Sequence, residues 1–153
     1  MELKARLQKS MTEAMKAKDA SRLQSIRLMW NALRKREIDD RKDLSDQDIE
    51  KILLTMIKQS TESLEQAKSA GRADLQAEVE KEISIIKEFL PEQMSEADVL
   101  NKIKNIVADL KAKGSLPEGA KAMGMVMKEA MAVVGSKAEG RVIQAAVKSA
   151  LGL

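Results

Sequence analysis

Phe89-Leu90-Pro91-Glu92-Gln93-Met94-Ser95 is the stretch on which the fold turns. Proline disfavours helical geometry in the residue before it and lacks the amide that a helix interior needs, so a helix arriving at Leu90 stops there. Ser95 can accept from the free amides of a new helix, and Asp98, three residues on, resembles the acidic half of a capping box. The stretch therefore predicts two helical units, 1–90 and 96–153, joined by a hinge at 91–95.

Upstream of that hinge the apolar residues recur at helical spacing. Leu3, Leu7, Met11 and Met15 predict a first helix from Glu2 to Ala17. Asp19 reads as the N-cap of a second, Ala20 to Asp40, with Leu23, Ile26, Trp30 and Leu33 as its buried stripe. Ser45 opens a third, with Asp46, Asp48 and Glu50 near the positive end of its dipole and Gly71 as its terminator. The fourth carries Leu75, Val79, Ile83, Ile86 and Leu90 inward. Downstream, Val99, Ile103, Ile106, Val107 and Leu110 predict a fifth helix ending at Gly114. A sixth spans Ala120 to Val134, with Met123, Val126, Met127, Ala130 and Met131 as its apolar residues and Met123, Met127 and Met131 as a packing stripe, and ends at Gly135. Ser136 and Glu139 read as a capping box for a seventh, carrying Val142, Ile143, Ala146, Val147 and Leu151. The fold class is all-α: a four-helix unit followed by a small three-helix unit.

Composition agrees and excludes much chemistry. The 153 residues include 44% hydrophobic and 33% charged side chains, with only 7 Gly and 2 Pro. That is a helical profile. There is no His and no Cys, so imidazole bases, thiolate nucleophiles, disulfides and zinc–thiolate sites are excluded. Trp30 and Phe89 are the only aromatics, which leaves no platform for stacking unpaired bases. The acidic run Asp46, Asp48, Glu50 alternates like calcium ligands. An EF-hand loop, however, needs Gly where Lys51 stands and Glu where Ile57 stands. No metal and no cofactor is expected, and no phosphate-binding glycine loop is present. The start, Met1-Glu2-Leu3-Lys4-Ala5-Arg6, is amphipathic and does not read as a secretory signal. No stretch is long and apolar enough for a membrane span. A cytoplasmic protein that does not partner a membrane is expected.

Charge is uneven. Residues 1–44 carry 12 basic and 7 acidic side chains, residues 45–90 carry 6 and 10, and residues 91–153 carry 9 and 7. Arg27, Arg34 and Arg41 are seven residues apart, with Lys35, Arg36 and Lys42 nearby. They read either as a phosphate-holding face or as a solvated face paired with Glu37, Asp39, Asp40 and Asp43.

Phe89-Leu90-Pro91-Glu92-Gln93-Met94-Ser95 also resembles the Tyr/Phe-Leu-Pro-Glu-Gln-Leu-Ser hinge of the YqeY family. Met123-Gly124-Met125-Val126-Met127 and Lys137-Ala138-Glu139-Gly140 are similar to that family's Met-Gly-x-Val-Met and Lys-Ala-Asp-Gly elements. One departure is local: Ser136 stands where the family usually has Gly, and the glycine sits one earlier, at Gly135. The family's C-terminal part is related to the tail of the B subunit of the tRNA-dependent amidotransferase, which helps to hold tRNA while other domains do the chemistry. The resemblance implies a tail-like C-terminal domain and a tRNA-binding or amidotransferase-associated accessory protein that is not an enzyme by itself. A carbon–nitrogen ligase label would be inherited by name. The implied partners are tRNA and an aminoacyl-tRNA-related enzyme or amidotransferase subunits. The candidate RNA-binding residues are Lys121, Lys128, Lys137, Arg141 and Lys148, with Gly124, Gly135 and Gly140 allowing close backbone approach; Arg27, Arg34 and Arg41 are the alternative basic face. The weak net charge and the lack of aromatics favour a second reading, a helical protein-interaction module with no RNA ligand.

Overall fold

The computed structural model describes residues 2–153; Met1, the first residue of the amphipathic start, lies outside them. The described residues form seven α-helices and one 3₁₀ turn, with no strand. The helices are α1 (Glu2–Lys16), α2 (Ala20–Asp40), α3 (Asp46–Ser69), α4 (Ala73–Lys87), α5 (Glu96–Ala112), α6 (Ala120–Val134) and α7 (Gly140–Leu151), and the 3₁₀ turn is Gly135–Lys137. The chain divides into two compact units, one reaching Pro91 and the other Glu92–Leu153.

Helix starts follow their capping residues. Asp19 Oδ1 accepts from the Arg22 amide at 3.1 Å. Ser45 and Asp48 form a reciprocal box: Ser45 Oγ accepts from the Asp48 amide at 3.2 Å, and Asp48 Oδ2 accepts from the Ser45 amide at 3.1 Å. That commits the acidic run to a helix start. Ser95 Oγ accepts from the Asp98 amide at 3.2 Å. The expected box at Ser136 and Glu139 does not form. Ser136 lies inside the 3₁₀ turn, and Glu139 is the N-cap of α7 with no side-chain cap bond. Its carboxylate instead accepts from Arg141 Nε at 3.2 Å. The cause is Gly135, whose φ of 56° and ψ of −129° turn the chain at the end of α6. This conformation suits glycine, which has no Cβ to clash.

In the first unit α3 packs along α4, α1 lies on α2, and α2 also packs on α3 and α4. Leu7, Ile26, Met29, Leu33, Leu44, Ile49, Leu53, Ile57 and Ile86 are its most deeply buried side chains. Three expected core positions are corrected. Trp30 packs against the core but is only half-buried, and Met29 takes the central place. The α2 stripe runs through Ile26, Met29, Leu33 and Glu37. Trp30 sits at its edge, with Lys4 Nζ 5.8 Å above the ring centroid. Met15 is exposed and Ala14 is buried in its stead. Leu75 is exposed too, while Ile85 and Phe89 are buried. α4 ends at Lys87, three residues before Leu90, because Glu88, Phe89 and Leu90 make tighter bonds to residues three back.

The second unit stacks α7 against both α5 and α6, and α5 also touches α6. Val99, Ile103, Val126, Ala130, Ile143 and Val147 form its dry centre. Met131 is exposed, so the Met stripe is cut short, and Ala122 and Val134 are buried instead. The Met94 amide donates to the Lys137 carbonyl at 2.8 Å, and Gln93 Nε2 donates to the Ser136 carbonyl at 3.0 Å. The end of the hinge stretch is thereby fixed to the 3₁₀ turn between α6 and α7.

Candidate nucleic-acid interface

α6 turns Ala122, Val126, Ala130 and Val134 inward. Seven residues make almost two full turns, so Lys121 and Lys128 stand above one another on the opposite, exposed face. Gly124 lies between them, also exposed. α7 repeats the arrangement: Ile143, Ala146 and Val147 face inward, while Arg141 and Lys148 are exposed and seven apart. Lys137 is exposed on the 3₁₀ turn that leads from one helix towards the other.

These five cations are not equivalent. Among the described residues Lys121, Lys128, Lys137 and Lys148 form no ion pair. Arg141 is held by Glu139 at 3.2 Å. It also borders a groove of about 370 Å³ between α5 and α7, floored by Leu100, Val142 and Ala145 with Glu96 and Ser149 at its rim.

The three glycines differ as well. Gly135 is there for its backbone angles. Gly124 and Gly140 have no positive φ, and a Cβ built at either meets no atom within 4 Å. Gly124 therefore neither ends α6 nor makes room for a neighbouring element of this chain. A mid-helix glycine costs roughly 0.5–1 kcal/mol relative to alanine, and nothing inside the protein offsets that cost.

The alternative basic face is partly dismantled. Arg41 does not continue the α2 face: it lies past the helix end with φ 53°. Arg34 donates to Glu37 at 3.0 Å and Arg36 to Asp40 at 2.7 Å. Arg27 remains exposed on α2.

Sequence reading placed Glu37 on a solvated face paired with the arginines; the pairing with Arg34 forms, but the burial of Glu37 and its bond to Lys4 were missed. Its carboxylate is buried, with Lys4 Nζ at 2.6 Å from one oxygen and Arg34 at 3.0 Å from the other. The Lys4 hydrogen bond, against the opposing effect of burial, holds its carboxyl below the ordinary 4.5. A signal was present: Glu37 continues the spacing of Ile26, Met29 and Leu33, so a carboxylate stood on the apolar stripe. Asp48 is likewise held below its ordinary range, first by the Ser45 amide. No group of three or more acidic side chains among the described residues is placed to hold a metal ion. No helix among them is long and apolar enough to cross a membrane.

Fold and surface together define an all-helical protein of two units, the smaller of which presents unpaired lysines around an exposed helical glycine. The chain belongs to the YqeY family of Yqey-like proteins, whose family model matches residues 4–151. It is also similar to altered inheritance of mitochondria protein 41, mitochondrial, of Lachancea thermotolerans. The two are 34% identical over 110 residues, which cover 70% of this chain and 59% of that protein. The chain thus matches less than two thirds of the length of this relative.

Proposed function

We propose that the chain is a tRNA-binding accessory protein associated with an amidotransferase or another aminoacyl-tRNA enzyme, and that it carries out no catalytic step itself. One observation carries this reading: Lys121 and Lys128 flank an exposed Gly124 with open space before it. Unpaired lysines can neutralise phosphates and release counterions, and a glycine lets a sugar–phosphate backbone come close. The resemblance of the family's C-terminal part to the amidotransferase tail is what points to tRNA as the ligand. The absence of His and Cys supports a role without nucleophilic or imidazole chemistry. The cytoplasm is the compartment proposed with this reading; the absence of cysteine agrees with any reducing compartment and does not select it.

The test is titration of a labelled tRNA transcript with the full chain at low salt. Binding should be measurable and should weaken when Lys121, Lys128 and Lys137 are together replaced by Ala. If no tRNA binds at low salt, the second reading replaces this one. That reading, a protein-interaction module, is favoured by the exposed Met125, Met131 and Val133 on α6.

A further inference from the structure

We propose that the outward face of α2 is a docking surface for an acidic, amphipathic helix of a partner protein. The inference concerns the first unit and does not depend on tRNA binding by the second. α2 gives Ile26, Met29, Leu33 and Glu37 to the interior, where α1, α3 and α4 pack on it. On the other side Arg27, Leu28, Asn31, Lys35, Ile38 and Asp39 are all exposed. At about 100° per residue they fall in one sector of the helix. Ile38 is 67% exposed and Leu28 45%. Leu28, Asn31, Lys35 and Ile38 follow a three-four-three spacing, the seam along which one helix reads another.

Charge selects the occupant. Arg27, Arg34 and Lys35 outweigh Asp39 on this side of the helix. Arg34 is held in place by Glu37 at 3.0 Å, so its orientation is set before a partner arrives. A second copy meeting this face about a two-fold axis would set arginines against arginines, which disfavours association. A nucleic-acid backbone would match the cations but leave Leu28 and Ile38 uncovered, and Asp39 would repel it. A protein helix with aliphatic residues on one face and Asp or Glu on its flanks satisfies both requirements. Aliphatic anchors within a charged rim containing arginine are the usual anatomy of such a contact.

The experiment selects binders to the full chain from a displayed library of random helical 18-residue peptides, then measures affinities by fluorescence anisotropy. The expected winners carry Leu or Ile at three- and four-residue spacing, flanked by Asp or Glu. Ile38→Ser and the double variant Arg27→Glu with Lys35→Glu should each weaken them at least tenfold. Met131→Ser on α6 should leave them unchanged. Circular dichroism confirms that the variants, all at exposed positions, remain folded. The proposal is overturned if the selected peptides are basic or neutral, or if both α2 variants bind as the parent does. It is also overturned if sedimentation shows a dimer that Ile38→Ser dissolves, which makes a second copy the occupant, or if tRNA displaces the peptides from this face. Loss of tRNA binding in the α6 lysine variants bears on the second unit alone, so the two readings fail separately.

Discussion

Lys4 Nζ lies 2.6 Å from Glu37 Oε1, joining α1 to α2 across 33 residues of chain, and the same ammonium sits over the face of Trp30. Glu37 is buried and Lys4 largely so, with side-chain exposures of 7% and 22%. The pair is therefore shielded from water in a way that Arg36–Asp40, at 61% and 29%, is not. Removing one partner leaves the other poorly solvated. A double-mutant cycle with Lys4→Met and Glu37→Gln should give a coupling of about 1.5–3 kcal/mol, in the range of hydrogen bonds to charged groups. The Arg36–Asp40 cycle should give only about 0.3–0.5 kcal/mol. Urea denaturation measures both; equal couplings would show that burial does not distinguish them.

The same pair predicts an acid limb. Lys4 depresses the folded-state ionisation of Glu37 below its ordinary 4.5, so the unfolded chain takes up the proton first as pH falls. The stabilisation is complete above that ordinary value and is lost as pH drops through it towards the lower folded value. Glu37→Gln should flatten this part of a stability profile recorded from neutral pH to about pH 3. An unchanged profile would mean that other carboxylates govern the limb.

Met29, fully buried, should matter more than Trp30, which is half-buried at the edge of the core. Met29→Ala is expected to cost about 2–5 kcal/mol, the range for large-to-small core changes. Trp30→Ala should cost less, about 1.5–3 kcal/mol on the transfer value of a large apolar side chain. Thermal or urea unfolding followed by far-ultraviolet circular dichroism compares them, and the reverse order would place Trp30 at the centre.

These two cases mark how far the sequence was legible. Helix starts were readable at Asp19, Ser45 and Ser95, because each exposes its capping oxygen three residues before a matching amide. The ends of α5 and α6 were equally plain from Gly114 and Gly135. Face assignments were weaker wherever the reading stepped by four. Four residues overshoot a turn by about 40°, so a run such as Leu3, Leu7, Met11, Met15 drifts off the buried face, and Ala14 replaces Met15. Met131 was misplaced for a different reason: the buried face of α6, Ala122, Val126, Ala130 and Val134, also steps by four, and the Met series lies one residue beyond it, while Leu75 lies outside the core although its spacing pointed inward. Of the buried alanines in the second unit, Ala130 and Ala146 were read from their spacing, whereas Ala122 and Ala138 were missed because alanine carries little apolar signal. The candidate lysines were legible as types but not as a set: only the folded structure separates the four unpaired lysines from Arg141, and Gly124 from Gly135.

Glutamyl endopeptidase should distinguish the hinge from the loop of the second unit. Glu92 and Glu118 are both exposed and outside helices. Gln93 and Met94, next to Glu92, are bonded to the 3₁₀ turn at 3.0 and 2.8 Å. Glu118 lies in the segment 113–119 between α5 and α6 and should be cut first, followed by Glu92. Mass spectrometry of the early fragments checks the order. Early cleavage inside α3 or α4, at Glu62 or Glu78, would contradict the helical first unit.

Gly124 offers the sharpest separation of stability from binding. A Cβ there meets nothing within 4 Å and the backbone is ordinary helix, so Gly124→Ala should stabilise the chain by about 0.5–1 kcal/mol. Gly135→Ala should destabilise it, because φ is +56°. If RNA approaches α6 as proposed, the methyl group at position 124 stands where the sugar–phosphate backbone comes closest, and tRNA affinity falls while the melting temperature rises. The lysines should act differently. Replacing Lys121, Lys128 and Lys137 should leave stability nearly unchanged, because all three are exposed and unpaired. It should flatten the dependence of log affinity on log salt by up to about three units, roughly 0.7–0.9 per lost phosphate contact. Gly124→Ala removes no charge, so its salt slope should match that of the parent. Arg27→Ala is the control on the first unit. If it abolishes binding while the lysine variant binds normally, RNA belongs on α2 and the tail assignment is wrong. If Gly124→Ala raises stability and leaves tRNA affinity untouched, the open space before that glycine is not where RNA lies.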